Sequence, residues 1–300
     1  MSDIVIKTTD LCRDYGRFRA LDKASLSIEK DRIVALLGPN GAGKTTFLHL
    51  VMGLLEPTKG IATVLGADSR KMKKEIVAQI GYMGDGDEPP GWVTAKKLIA
   101  MQRESSAAFD RDFIEKFLAD RGLPLKKTFG SMSKGQKKWL RAGLVLASKP
   151  KILILDEPAE GLDPSARYEL YDYLREYITE SAATAVVATH IIGDIERIAD
   201  DVAVIHKGKV ITHACLEDLR DEVSEIHLSE NELPASISKD FELIGKKEVA
   251  GGALFWVRST KVPHEELKNL LGEHSHVRRV DLQTFYLAIT ENNHNDAKEL

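Results

Sequence analysis

The segment IVALLGPNGAGKTT, residues 33–46, restricts what this chain can fold into more than any other stretch. IVALL is a continuous apolar run, as expected of a strand buried on both faces. The residues after the loop, TTFLHLVMGLL, read as a helix that must stop before Pro57. A buried strand, a glycine-rich loop and a helix in that order begin a crossover unit, and crossovers imply a parallel sheet. The loop fits the pattern G-x-x-x-x-G-K-[ST], with Gly38, Gly43, Lys44 and Thr45 at the specified positions and Pro39, Asn40, Gly41 and Ala42 between them. Its glycines allow backbone N–H groups to turn inward around phosphate oxygens. The helix that opens behind the loop adds a partial positive charge. The pattern predicts a nucleotide cradle, continued by Thr46, in which Lys44 reaches the β- and γ-phosphates and Thr45 holds Mg2+.

The flanking sequence supports a sheet of the same kind. Residues 4–10 and 24–29 alternate apolar and polar and read as antiparallel strands. EPTKG at 56–60 is a turn, and IATVLG a strand after it. Residues 95–121 and 133–148 read as amphipathic helices, KILILD at 151–156 as a second buried strand, and 185–189 as a third. Past about residue 220 the character changes. VSEIHLSE, FELIGKKEV and ALFWVRS read as short strands, the last two joined at Gly251-Gly252. PHEELKNLL and LQTFYLAIT read as helices, VRRVDL as a strand and ENNHNDAKEL as a solvated tail. A length of 300 residues suits two domains, expected at 1–220 and 221–300, the second a small α+β unit. The net charge of −4 argues against a chain-wide nucleic-acid surface. Cys12 and Cys215 offer neither a disulfide framework nor zinc-ligand spacing, which fits a reducing compartment. The start has no apolar signal segment, and no apolar run approaches the roughly 20 residues that span a bilayer. Any membrane role is therefore expected to come through a partner.

ILILDEP, residues 152–158, ends a buried strand in two acids. Asp156 emerges at the strand's C-terminal end, where such sheets bind ligands, and is expected to hold Mg2+ through water. Glu157 has a different role: as general base it can orient and deprotonate an attacking water.

With these two motifs the chain resembles the nucleotide-binding subunit of an ATP-binding cassette protein, over residues 4 to about 217. That family carries a signature loop, LSGGQ, upstream of the second acidic strand. MSKGQ at 132–136 corresponds to it, with Ser133, Gly135 and Gln136 matching and Lys134 departing. The resemblance implies that Ser133 and Gly135 bind the γ-phosphate of an ATP held on another subunit. Helix capping by Ser133 would use the same residue type. GLDP at 161–164 resembles the family's D-loop, which implies Asp163 at a subunit interface; Asp163 before Pro164 is also a strong helix start. His190, closing the ATH at 188–190, matches the switch histidine that contacts the γ-phosphate and steadies Glu157. RDYG at 13–16 matches the loop whose aromatic residue, here Tyr15, stacks on adenine. One family residue is absent: a Gln that faces Mg2+ is replaced by Asp85, within the acidic stretch holding Asp87 and Glu88.

The resemblance implies a P-loop NTPase (RecA-like) α/β fold. It has a mostly parallel sheet core, an antiparallel β subdomain, a helical subdomain at about 86–150 and the small C-terminal α+β domain. It further implies hydrolysis of ATP with Mg2+ in a head-to-tail dimer with a second nucleotide-binding subunit, identical or related. A separate transmembrane permease would be the other partner, with no nucleic acid. The chain would then be cytoplasmic, peripheral on the inner face of the membrane. The relatives it most resembles are ATPase subunits of bacterial drug, antibiotic and lipid exporters. Importer subunits with regulatory tails carry longer tails. Soluble cassette ATPases of ribosomes or DNA are marked by paired cassettes, coiled-coil insertions or zinc cysteines. Pro89, Pro90, Trp92 and the helix from Thr94 are expected to form the permease-docking face.

Overall fold

The computed structural model describes residues 3–86, 88–229, 233–234, 241–259, 262, 264–271 and 275–295. The chain divides into two compact units, Met1–His213 and Ala214–Leu300. The first begins with β1 (Ile4–Tyr15), β2 (Phe18–Glu29), β3 (Ile33–Leu37), α1 (Lys44–Val51), β4 (Lys59–Val64), β5 (Ala67–Asp68), α2 (Lys74–Val77) and β6 (Ile80–Met83). Three helices follow, α3 (Ala95–Ser105), α4 (Arg111–Ala119) and α5 (Lys134–Ala147). Then come β7 (Ile152–Asp156), α6 (Pro164–Ser181), β8 (Thr184–Thr189), α7 (Ile192–Ile195), β9 (Asp201–His206) and β10 (Lys209–Cys215).

Six strands form the central sheet in the order β10-β9-β3-β8-β7-β6, and the pairs from β9 to β6 are all parallel. Every residue of β3, β7, β8 and β9 is buried, which is why their sequences are apolar without alternation. A second, antiparallel sheet has the order β2-β1-β4-β5. One core cluster joins the two sheets through α1, uniting Phe47, Leu48, Leu50 and Val51 with Ile6, Leu21, Val34, Leu36 and Ile154. Full burial of each such side chain contributes about 1.5–3 kcal/mol.

Two expectations need correction here. Residues 4–10 and 24–29 are parts of one long hairpin that reaches Tyr15 and Phe18. Its alternation is lost where Asp10 and Lys23 take left-handed φ angles of 46° and 52° and the register shifts. Such bulges put successive side chains out of phase, so a period-two reading ends early. Residues 95–121 are two helices rather than one. Asp110 ends the break by accepting from Phe113 N at 2.9 Å as the cap of α4, and it also pairs with Lys149 at 2.9 Å. Helix-favouring Ala107 and Ala108 in the gap hid the interruption.

Helices α4, α5 and α6 are fastened by Arg121. Its guanidinium lies 3.9, 4.0 and 4.6 Å from the ring centroids of Phe117, Trp139 and Tyr173, and donates to Phe117 O and Glu169 at 2.9 and 2.7 Å.

The second unit holds α8 (Leu216–Glu222), β11 (Val223–Leu228), β12 (Glu242–Val249), β13 (Gly252–Arg258), α9 (His264–Leu271), β14 (His276–Arg279) and α10 (Leu282–Asn295). Its antiparallel sheet runs β12-β13-β11-β14 around Ile226, Phe255, Val257 and Leu267. Buried Glu225 is satisfied by Trp256 Nε1 at 3.0 Å and by Arg278 at 2.5 and 3.0 Å. The helix read at LQTFYLAIT is α10, which continues to Asn295; residues 296–300 lie outside the described residues. No helix among the described residues is long and apolar enough to cross a membrane.

The Arg121 fastening yields a stability prediction. Arg121→Ala should cost about 2 kcal/mol, the size of a desolvated cation–π contact, and lower the urea midpoint without loss of helix content. An unchanged midpoint would mean the guanidinium fastens nothing.

Candidate active site

The ends of β3, β7 and β8 open side by side because their register is parallel: Leu37 lies opposite Thr189, and Asp156 opposite Ala188. The chain leaves each strand into a cleft of about 410 Å³. Pro39, Asn40, Gly41, Gly43, Lys44, Thr45 and Thr46 line it from the cradle, Asp156 and Glu157 from β7, and His190 from β8. Gly38 and Ala42 support it from behind. A Cβ at Gly38 would sit 2.4 Å from Ile205 O, so the loop can press against β9 only without a side chain. Gly43 has φ 110° and lies against Ala20 O, which excludes any larger residue. Ala42 is buried, and its carbonyl accepts from Gly208 N at 3.0 Å.

Lys44 is buried and paired within the protein. Its Nζ donates to Gly38 O at 2.7 Å and lies 3.7 Å from Glu157 Oε1. Thr45 Oγ1 donates to Asp156 Oδ2 at 2.6 Å, joining cradle to strand end. Burial pushes the Asp156 carboxyl above the usual range, with the charges of Glu157 and Asp85 adding to the effect and Thr45 and Lys44 opposing it. Glu157 is buried at a left-handed φ of 48°, and neither carboxylate oxygen accepts a hydrogen bond of good geometry. His190 Nδ1 comes within 3.0 Å of Oε1, close enough for attraction whenever the ring is charged. A buried carboxylate with no well-aligned protein donor suits a site that receives a donor with its ligand.

Acids dominate this end of the cleft, since Asp85 and Glu160 also line it. That surplus fits a bound cation. Among the described residues no three His, Cys, Asp or Glu side chains converge tightly enough to hold a metal unaided. Thr45 and Asp156 could supply two ligands to Mg2+, which ordinarily takes the rest from phosphate oxygens and water. Asp87 lies outside the described residues. Glu88 pairs with Lys137 at 2.9 Å.

At the far end Tyr15 is 44% exposed beneath the Arg13 guanidinium, 4.7 Å from the ring centroid. Phe18, its cross-strand partner, also lines the cleft. Sequence reasoning singled out Tyr15 and missed Phe18, Ala20 and Glu160. An aromatic on each side of a two-residue turn, YGRF, was the available signal for Phe18.

The signature and D-loop residues do not line the cleft of their own chain. Ser133 caps α5 in a reciprocal capping box: Ser133 Oγ accepts from Gln136 N and Gln136 Oε1 from Ser133 N, both at 3.2 Å. Gln136 also accepts from Lys127 Nζ at 2.8 Å. Asp163 caps α6, accepting from Ala166 N at 3.1 Å ahead of Pro164. Gly135 sits in the first turn of α5.

Comparison with known proteins adds to this geometry. The family model described as ABC transporter matches residues 21–160. The chain is 34% identical over 221 residues to the bacitracin transport ATP-binding protein BcrA of Bacillus licheniformis, covering 72% of this chain and 71% of that one. It is 31% identical over 230 residues to the daunorubicin resistance ATP-binding protein DrrA3 of Streptomyces coeruleorubidus, covering 74% and 72%. A solved ATP-binding subunit of an ABC transporter is similar with a TM-score of 0.63 at 25% identity, over 72% of this chain and 92% of that one.

The close approach at Gly43 can be tested. Gly43→Ala forces an alanine into φ 110° against a backbone carbonyl. Strain of that kind should weaken ATP binding about tenfold or more in a fluorescent-nucleotide titration. Wild-type affinity would show that the cradle tolerates a side chain there.

Proposed function

We propose that this chain, which belongs to the ABC transporter family, drives export by closing head to tail with a second nucleotide-binding subunit around two ATP molecules. Its fold is the P-loop ATP-binding cassette; it binds ATP and is an ATPase subunit of a transporter. One observation carries the pairing: the cleft holds the cradle, the carboxylates and His190, while Ser133, Gly135 and Gln136 lie outside it. The exposed N-terminus of α5 is thus left to face the γ-phosphate on another subunit, where its partial positive charge favours an anion. Asp163 is the matching interface residue at the start of α6.

Within the cleft each residue then has a task. Lys44 exchanges Gly38 O for phosphate oxygens. Thr45 and Asp156 would hold Mg2+, with Asp85 at the sequence position of the usual Gln. When bound, the ion supplies charge neutralisation across the phosphates. Glu157, whose oxygens lack donors, accepts the proton side of the attacking water as general base. His190 orients that carboxylate and contacts the γ-phosphate. Tyr15, with Phe18 opposite, stacks on the base.

The relatives named for bacitracin transport and daunorubicin resistance support an exporter. Trp92, just before α3, is 69% exposed, and Met101, within it, 53%. Lys97 Nζ stands 4.9 Å over the Trp92 ring. This face suits a membrane permease carried on a separate chain, which would hold the protein at the inner face of the membrane.

Two outcomes follow. Glu157→Gln should reduce turnover about a hundredfold or more while leaving an ATP-bound dimer in gel filtration. A Glu157→Gln chain that stays monomeric at saturating Mg-ATP contradicts the paired site. A photo-cross-linker at position 92 should capture a membrane protein in native membranes. Capture of ribosomal proteins alone, or recovery of the chain away from membranes, would sink the transport reading.

A further inference from the structure

We propose that Lys138 is a positioning residue for the Glu157 carboxylate, acting through the Glu157 backbone carbonyl. The inference rests on Glu157 being the general base proposed above.

Glu157 is held in an unusual way. Its φ of 48° belongs to the left-handed region, which a residue with a long side chain occupies only when its surroundings impose it. Its carboxylate oxygens accept no hydrogen bond of good geometry, and at its tip it has ion-pair contacts, with His190 Nδ1 at 3.0 Å and Lys44 Nζ at 3.7 Å. The backbone adds hydrogen bonds of good geometry to these contacts. There the amide donates to Ala188 O of β8 at 2.9 Å. The carbonyl accepts from Lys138 Nζ at 2.7 Å, and more distantly from Glu160 N at 3.3 Å within its own turn. The short contact from a charged donor is the stronger of the two. Lys138 is thus the side chain that clamps the peptide following Glu157, as β8 clamps the one before it.

Lys138 is not among the residues that line the cleft. Its ammonium is partly buried, and burial draws its pKa below the usual lysine value, with Arg141 adding and Asp85, Glu160 and Glu157 opposing. Despite those acids nearby, its hydrogen bond goes to a backbone carbonyl. One turn further along α5, buried Arg141 donates to the carbonyl of Gly84, the residue before Asp85. A single helix therefore grips the backbone on both acidic sides of the cleft. The same helix begins at Ser133, one turn before Lys138. Any displacement of that signature end relative to β7 must stretch the Lys138–Glu157 bond. The contact makes the readiness of Glu157 depend on where α5 stands.

The test uses the full chain and compares Lys138→Met, Lys138→Arg and Glu157→Gln. Lys138→Met keeps length and apolar stem but removes the donor. Single-turnover hydrolysis should slow about ten- to a hundredfold, the loss expected for a hydrogen bond from a charged donor. Equilibrium binding of a fluorescent ATP analogue and the thermal midpoint should stay as in the unsubstituted chain. Amide exchange in the segment 156–160 should quicken without nucleotide, a readout independent of turnover. Lys138→Arg should recover most of both losses. If Glu157→Gln abolishes hydrolysis while Lys138→Met hydrolyses and exchanges normally, Lys138 positions nothing and the general base stands. If Glu157→Gln itself hydrolyses normally, the reading of Glu157 fails and the positioning role falls with it.

Discussion

The parallel register of β3, β7 and β8 is the constraint on which the site depends. With Leu37 opposite Thr189 and Asp156 opposite Ala188, three strand ends open at one level. The cradle leaves the first, two acids end the second, and His190 follows the third. A slip by one residue would turn Asp156 and Glu157 to opposite faces. Burial on both faces prevents it, because every residue of these strands is packed in the core. The apolar monotony of IVALL, ILIL and TAVVAT is therefore what aims the polar residues beyond them.

The site built on this register is electrostatically unfinished. Of the described residues lining the cleft, Asp85, Asp156, Glu157 and Glu160 face the buried cation Lys44, and the Glu157 oxygens accept no hydrogen bond of good geometry. An unpaired buried polar group costs about 1–3 kcal/mol, and a left-handed non-glycine residue a comparable amount. Both costs fall on Glu157 and are borne by a rigid sheet. A phosphate-bearing ligand with a cation and a water would supply charges and donors of the kind this cleft accepts.

Helix α5 combines a structural and a chemical assignment. Its capping box satisfies backbone donors with Ser133 and Gln136, as any helix start might. Its basic face reaches Glu88, the Glu157 carbonyl and the Gly84 carbonyl. Arg121 fastens the same helix to α4 and α6 through three aromatic rings. Trp139 therefore packs inward on a cation, while Lys138 beside it turns to the acids.

The cradle, the acidic strand end and the parallel sheet were legible because each depends on neighbours in sequence. Gly38 to Thr45 is one loop, and ILILDEP is one strand with its exit. The signature and D-loop segments were legible as helix starts for the same local reason. Long-range pairing was not. The bulges at Asp10 and Lys23 are set by a partner strand, so the hairpin was read too short. The break at 106–110 ends at the local cap by Asp110, whose backbone N–H is also held by the distant Ala147 O at 2.7 Å. Phe18 and Glu160 line the cleft only because the sheets bring their turns there. Local chemistry thus determined by itself that this chain cradles a nucleotide. The tertiary structure alone decided that His190 and Lys44 come to the Glu157 carboxylate, that Lys138 holds its backbone, and that Ser133 lies outside its own cleft. Those outcomes depend on distances between residues far apart along the chain, which no local pattern encodes.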